Sequence, residues 1–313
     1  MNPGSRIPKA AVLAALLVAG SEVLFLGTTE PLTGLPYLQP TADDAILVAK
    51  QKLIPRAAGR VVLIGDSSCT MGLQPDLLEA ETGLPAVNLG TISTMTMVGF
   101  ADLTGRVCDL DPPPKFVVFV ALPRSFEVSE PQAHDYQLVG RYLTAYNRRS
   151  PDFTPTPREQ WEWFVRKHRV NVFPNEFGGS YEKYEQALSS QDGWYPERGQ
   201  YMLKPGEVRD HFQPTEFAGQ GLTRIVTLCK TNQIPLLVWW SPAPADSITP
   251  RYVTGVTDYS EQTHRAFPGV LFPRATVPRW DPSRFGTVTH VTPDGAAINT
   301  RELAAAIKRL GWK

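Results

Sequence analysis

Val61-Val62-Leu63-Ile64-Gly65-Asp66-Ser67-Ser68 is the stretch around which the rest of the chain is ordered. Four consecutive apolar residues, three of them β-branched, predict a strand buried on both faces of a sheet. Gly65-Asp66-Ser67 then breaks the run, and Met71, Leu73, Leu77 and Leu78 follow in a register that suits a helix better than a strand. A parallel strand that stops at a tight turn presents its next residue at the carboxyl edge of the sheet, where ligands bind in open α/β folds. Ser67 is the residue so presented. A serine hydroxyl is a weak nucleophile unless a base and an oxyanion site come from elsewhere in the chain.

Outward from that stretch, strands and helices alternate. Upstream, Thr41-Ala42-Asp43-Asp44-Ala45 opens a short helix with Ile46, Leu47, Lys50 and Leu53, its acidic residues in the first turn. Downstream, a helix begins near Pro75 and ends at Gly83, a left-handed cap. Pro85–Gly90 reads as a second short strand and Thr91–Val107 as the helix after it. Phe116–Ala121 and Ile234–Trp240 are further apolar strands, separated by a helix over Thr215–Lys230. Tyr259–Phe267 is read as helix, Val270-Leu271-Phe272 as the last strand, and Thr292–Leu310 as a terminal helix capped by Thr292 with Pro293 at its first position. This order predicts an α/β protein, a three-layer α/β/α sandwich around a mostly parallel sheet.

The chain has 313 residues, 42% of them hydrophobic, enough for a full α/β core with elaborations. Its 31 basic and 31 acidic residues cancel, which excludes a polyanion such as nucleic acid as an expected partner. Cys69, Cys108 and Cys229 form no metal or redox motif; one disulfide is arithmetically possible, but the odd count argues for buried small residues.

Residues 1–9 carry Arg6 and Lys9, and residues 10–27 are apolar apart from Ser21-Glu22. No further Lys or Arg occurs before Lys50, an asymmetry that places the amino terminus inside and the remainder across a membrane. Two versions stand: a cleaved signal peptide, with Ala19 and Ser21 as small residues, or an uncleaved anchor near the lower length limit for a spanning helix. Residues 28–45 then form a Pro- and Gly-marked linker to a domain over 46–313.

Residues 125–213 break the alternation. They are polar and aromatic-rich (Tyr136, Tyr142, Tyr146, Trp161, Trp163, Trp194, Tyr195), and read as an insertion lying over the carboxyl edge. Such aromatics either stack on sugar rings or form a satellite core under long loops.

The chain contains no P-loop, no G-x-G-x-x-G and no H-E-x-x-H, and its five histidines lack metal-ligand spacing, so neither cofactor nor metal is expected. What it does contain, in order, is Gly65-Asp66-Ser67 after one apolar strand, Asn88-Leu89-Gly90 after the next, and His290 ahead of Pro293-Asp294-Gly295-Ala296. This set resembles the SGNH (GDSL-like) hydrolase superfamily, and most closely its membrane-anchored branch associated with acylation of cell-surface polysaccharides.

The resemblance implies a flavodoxin-like fold and assigns roles. Ser67 is the nucleophile and, through its N–H, an oxyanion donor; Gly90 is a second donor; His290 is the general base. Asp66, beside the nucleophile, is expected to bond the backbone of the turn rather than take part in chemistry. Two positions depart from the pattern. The acid usual three residues before the histidine is replaced by Thr287. Asp281 is the nearest upstream acid, able to orient the imidazole if Phe285-Gly286 turns sharply, or else a solvated loop residue. The third strand ends at Leu122-Pro123-Arg124 without the usual oxyanion Asn, leaving Arg124 as a charged substitute or an exposed loop residue.

The expected protein is an extracytoplasmic, membrane-tethered serine esterase or O-acyltransferase acting on an acylated polysaccharide, with cell-envelope partner proteins. If the segment at the amino terminus is cleaved, it is secreted. The alternative is an inactive module of the same fold that binds glycan or scaffolds a surface assembly. A lipase or thioesterase is disfavoured by the lack of a long apolar lid.

Overall fold

A computed structural model describes residues 42–128, 181–204 and 206–312. The anchor or signal expected over residues 10–27, most of the linker, and Tyr136 through Trp163 of the insertion lie outside the described residues. Among the described residues no helix is long and apolar enough to cross a membrane.

The strand β1 spans Val61–Gly65, and all five of its residues are buried. The short β2 (Ala86–Asn88) lies on one side of it and β3 (Phe116–Ala121) on the other. Beyond β3 come β4 (Leu236–Trp240) and, after a two-residue β5 (Ala243–Pro244), the outer strand β6 (Val270–Arg274). The sheet order is β2-β1-β3-β4-β6, with every pairing parallel. Chain order reverses between β1 and β3, so the crevice beyond their carboxyl ends is where a ligand site is expected in such a sheet.

Helices cover both faces. Val62, Ile64, Val117, Phe119 and Val238 point to one core, built with α1 (Ala42–Leu53), α4 (Thr96–Cys108), α6 (Glu216–Thr231) and α7 (Pro250–Ala266). Val61, Leu63, Val118, Val120 and Leu237 point to the other, against α3 (Pro75–Thr82) and α8 (Pro293–Arg309). Strands buried on both sides need no polar alternation, which is why they read as unbroken apolar runs. Each such Val, Leu or Ile side chain contributes about 1.5–3 kcal/mol of burial.

Several boundaries follow from caps. Gly83 ends α3 in the left-handed conformation (φ 73°), its N–H bonded to Glu79 O. Thr215 and Thr292 accept hydrogen bonds from Ala218 N and Gly295 N at the starts of α6 and α8. Two helices depart from the expectation. α7 begins nine residues earlier than Tyr259, because Thr249 caps it and Pro250 fills its first position; its inner stripe (Tyr252, Val256, Ser260, Thr263) includes two polar residues. α4 begins only at Thr96, since Thr91–Met95 forms the loop and 3-10 turn leaving β2. All three cysteines are buried and free.

Candidate active site

Ser67 is the first residue of α2 (Ser67–Gly72), which starts directly from the end of β1. The start is set by Asp66, whose backbone is extended and whose Oδ1 accepts from Ser68 N at 2.9 Å and from Ser68 Oγ at 2.5 Å. Its Oδ2 accepts from Leu122 N at 3.0 Å and from Ser125 Oγ at 2.5 Å, both just past β3. Ser68 Oγ has one proton and gives it to Asp66, so Ser241 Oγ, 2.7 Å away at the end of β4, donates to Ser68. The 1% exposed Asp66 thus ties together the carboxyl ends of three strands around the half-buried Ser67. It bonds backbone, as the sequence suggested, but its reach is tertiary.

His290 lies between a two-residue strand β7 (Arg279–Trp280), paired with β5, and α8. A tight turn presents it. Gly286 N and Thr287 N both donate to His290 O, and His290 N donates to Thr287 Oγ1 at 3.1 Å. Phe285 and Val291 form an antiparallel bridge that closes the turn and bury with Ala296 against Trp194, Tyr201 and Trp280. The imidazole Nε2 stands 2.8 Å from Ser67 Oγ, so residues 223 positions apart are in hydrogen-bond contact. That is the distance a general base needs to take the serine proton.

The carboxylate beside His290 is not the expected one. Glu197 Oε2 is 2.8 Å from His290 Nδ1, and Thr287 Oγ1 is 3.0 Å from the same nitrogen. Asp281 instead caps the 3-10 turn Pro282–Arg284, accepting from Ser283 N at 2.9 Å, and is fully exposed. Its bonds to Ser283 hold its carboxyl below the ordinary value. The solvated-loop reading of Asp281 therefore describes its place, and Thr287 works as a turn-former rather than a substitute acid.

Glu197 is held from both ends. Its Oε1 accepts from Arg198 N at 2.7 Å and Gly199 N at 2.6 Å. Burial would raise its carboxyl, but the bonds from His290 and Gly199 N outweigh that and hold it below the ordinary glutamate value. The stretch that carries it leaves α5 (Tyr181–Ser190) and runs along the nucleophile helix. Trp194 Nε1 donates to Met71 O at 3.0 Å, and Tyr195 N donates to Thr70 O at 3.2 Å. At the far end it abuts the histidine turn, where a Cβ on residue 286 would stand 2.5 Å from Glu197 Cγ. Residues 194–197 of the insertion thus run beside α2 and bring the carboxylate to His290, while Leu188 of α5 is buried in the core with Leu47 and Leu53 of α1.

The expected oxyanion donors fare differently. Ser67 N, first in its helix, has no acceptor among the described residues. Gly90 N is engaged: it donates to Asn88 Oδ1 at 2.8 Å. The missing side chain of Gly90 serves packing, since a Cβ would come 2.6 Å from Cys69 Cβ and 2.7 Å from Thr70 N. Arg124 stands in the 3-10 turn Pro123–Phe126 that Asp66 anchors, but its side chain is exposed and its charge acts on the Tyr252 hydroxyl. Among the described residues no hydrogen bond joins it to Ser67 or His290.

The chain matches no protein-family model and no curated protein.

Proposed function

We propose that this protein is an SGNH-type serine acyl hydrolase or O-acyltransferase, working through an acyl-enzyme on Ser67. The observation that carries the reading is the unbroken chain Ser67 Oγ–His290 Nε2–His290 Nδ1–Glu197 Oε2, with 2.8 Å at both hydrogen bonds. It sits at the switch point of a parallel sheet whose five-strand order is that of flavodoxin-like folds.

The chemistry follows from that geometry. Glu197 accepts a hydrogen bond from the Nδ1–H, which fixes the tautomer that leaves the Nε2 lone pair facing Ser67. As Ser67 Oγ attacks an ester carbonyl, its proton passes to Nε2 and the imidazolium is stabilised by Glu197. The tetrahedral oxygen draws on the Ser67 N–H. Nε2 then protonates the departing alkoxide, leaving an ester on Ser67. A water or an acceptor hydroxyl, deprotonated by Nε2, attacks that ester; the acyl–Oγ bond breaks, and Nε2 returns the proton to Ser67 Oγ.

For substrate and place, the reading is an acylated glycan and a membrane-tethered, extracytoplasmic protein with cell-envelope partners. The resemblance around Gly65-Asp66-Ser67 and His290 supports the first, and the charge asymmetry of residues 1–50 supports the second.

The test is labelling of the full-length chain with a fluorophosphonate, followed by release of acetate from an O-acetylated polysaccharide. Wild type should label and Ser67→Ala should not, while remaining folded. Labelling that persists in Ser67→Ala would move the nucleophile, and a folded wild type that takes no label would favour a glycan-binding module. Recovery of the intact chain in a soluble cytosolic fraction would sink the tethered location.

A further inference from the structure

Lys50 lies in α1 at 1% exposure, and lysine is rarely so buried without a charged partner. No carboxylate among the described residues contacts it. Its ammonium donates instead to Asn88 O at 2.8 Å, to Asn88 Oδ1 at 3.3 Å and to Gly193 O. Three acceptors match its three protons. Burial makes the charge costly and lowers the lysine to about 7. A methionine would fill the same space without that cost, so the amine needs a reason beyond packing.

The reason lies in what the two acceptor residues hold. Asn88 Nδ2 donates to Cys69 O at 2.7 Å and Leu73 O at 3.0 Å, gripping the nucleophile helix and the residue that follows it. Gly193 is four residues before Glu197. It has φ 97°, and a Cβ there would collide with the Asn88 carbonyl oxygen, so the backbones of β2 and of the acid-bearing stretch press directly together. Asp192 O accepts from Asn88 N at 2.8 Å beside them. One ammonium bridges the residue that fixes the nucleophile helix and the stretch that brings the acid.

We infer that Lys50 is a positioning residue for the proposed triad, clamping the Glu197 stretch to Asn88 so that acid and nucleophile share one frame. Its effect on activity rests on the acyl-transfer reading, whereas the clamp itself is a property of the fold.

The experiment compares full-length wild type, Lys50→Met, Glu197→Gln, the double variant and Gly193→Ala. Fluorophosphonate labelling gives kinact and KI, and amide hydrogen exchange over residues 193–199 reports on the clamp. Lys50→Met should lower kinact by no more than Glu197→Gln does and by at most about a hundredfold, the cost of an ångström-scale misplacement, with KI unchanged and exchange accelerated. Glu197→Gln should lower kinact without accelerating exchange. Lys50→Met placed on Glu197→Gln should cost nothing further, because Lys50 acts through that carboxylate. Gly193→Ala, which forces the two backbones apart with Lys50 intact, should reproduce the Lys50→Met behaviour and serves if Lys50→Met does not fold. Wild-type kinact and exchange in either variant would overturn the inference, as would a full additional loss in the double variant. If wild type takes no label, the acyl-transfer reading falls and the exchange of Lys50→Met alone decides the clamp.

Discussion

On the proposed acyl-transfer reading, replacing Glu197 by Gln should cost more activity than replacing it by Ala. In wild type, one carboxylate oxygen accepts from Arg198 N and Gly199 N while the other faces His290 Nδ1. A glutamine amide must choose. Its oxygen belongs against the two backbone N–H groups, which turns its NH2 towards Nδ1. The imidazole then carries its proton on Nε2, pointing at Ser67 and unable to accept. Turning the amide over would face NH2 against two N–H donors, costing about 1–3 kcal/mol for each. Even the lower bound, about 2 kcal/mol in all, makes the wrong tautomer dominate by about 30-fold. Loss of imidazolium stabilisation adds to this, and the corresponding acid-to-amide change in a serine protease costs about 10⁴ in kcat, or about 5 kcal/mol. Glu197→Gln should therefore lose between about 30-fold and about 10⁴-fold. Glu197→Ala leaves Thr287 Oγ1, at 3.0 Å, to accept the Nδ1 proton in the correct tautomer. The assay is hydrolysis of a chromogenic aryl acetate alongside fluorophosphonate labelling, with circular dichroism to confirm folding. A Glu197→Gln enzyme within about threefold of wild type, or an Ala variant worse than the Gln variant, would refute the assignment of Glu197.

Asp281→Asn should leave labelling within about threefold of wild type, because Asn caps the Pro282 turn nearly as well, whereas His290→Ala should remove it; a tenfold or larger loss in Asp281→Asn would contradict the geometry. Asp66→Asn turns an amide NH2 towards donors on one side of the network, and should destabilise the fold by about 2–4 kcal/mol in urea unfolding. A change under about 0.5 kcal/mol would show that the network is not strained by the amide. Glu197 has a depressed carboxyl, so the stability it contributes is present above the ordinary glutamate value and lost as pH falls through its lower folded value. The stability difference between wild type and Glu197→Gln should thus narrow on acidification below about pH 4.3, and a difference unchanged down to pH 3 would refute it.

The parallel sheet was legible because β1, β3 and β4 are buried on both faces, and no polar residue interrupts them. Ser67 was legible because it stands at the turn where an apolar strand meets a helix, and His290 through the motif resemblance together with its place ahead of the terminal helix. The acid was not. Glu197 sits in Trp194-Tyr195-Pro196-Glu197-Arg198-Gly199, which has neither helical nor strand period, and 93 residues separate it from His290. The one local hint is Gly199, whose N–H reaches back to the carboxylate. Gly90 misled for a related reason: a glycine needed for close approach looks the same in sequence whether a ligand or a helix does the approaching. The fully buried Lys50 gave no sign of itself, since in sequence it falls among the ordinary basic residues ending a helix.

Ser67 and His290 belong to the sheet's own connections, while the Glu197 carboxylate arrives on a separate stretch of chain. On the proposed reading, the proton relay is complete only while that stretch stays docked against the histidine turn. A signature that demands an aspartate three residues before the histidine would miss the carboxylate that stands beside His290 here. A carboxylate partner for such a histidine has to be sought in space and not only along the sequence.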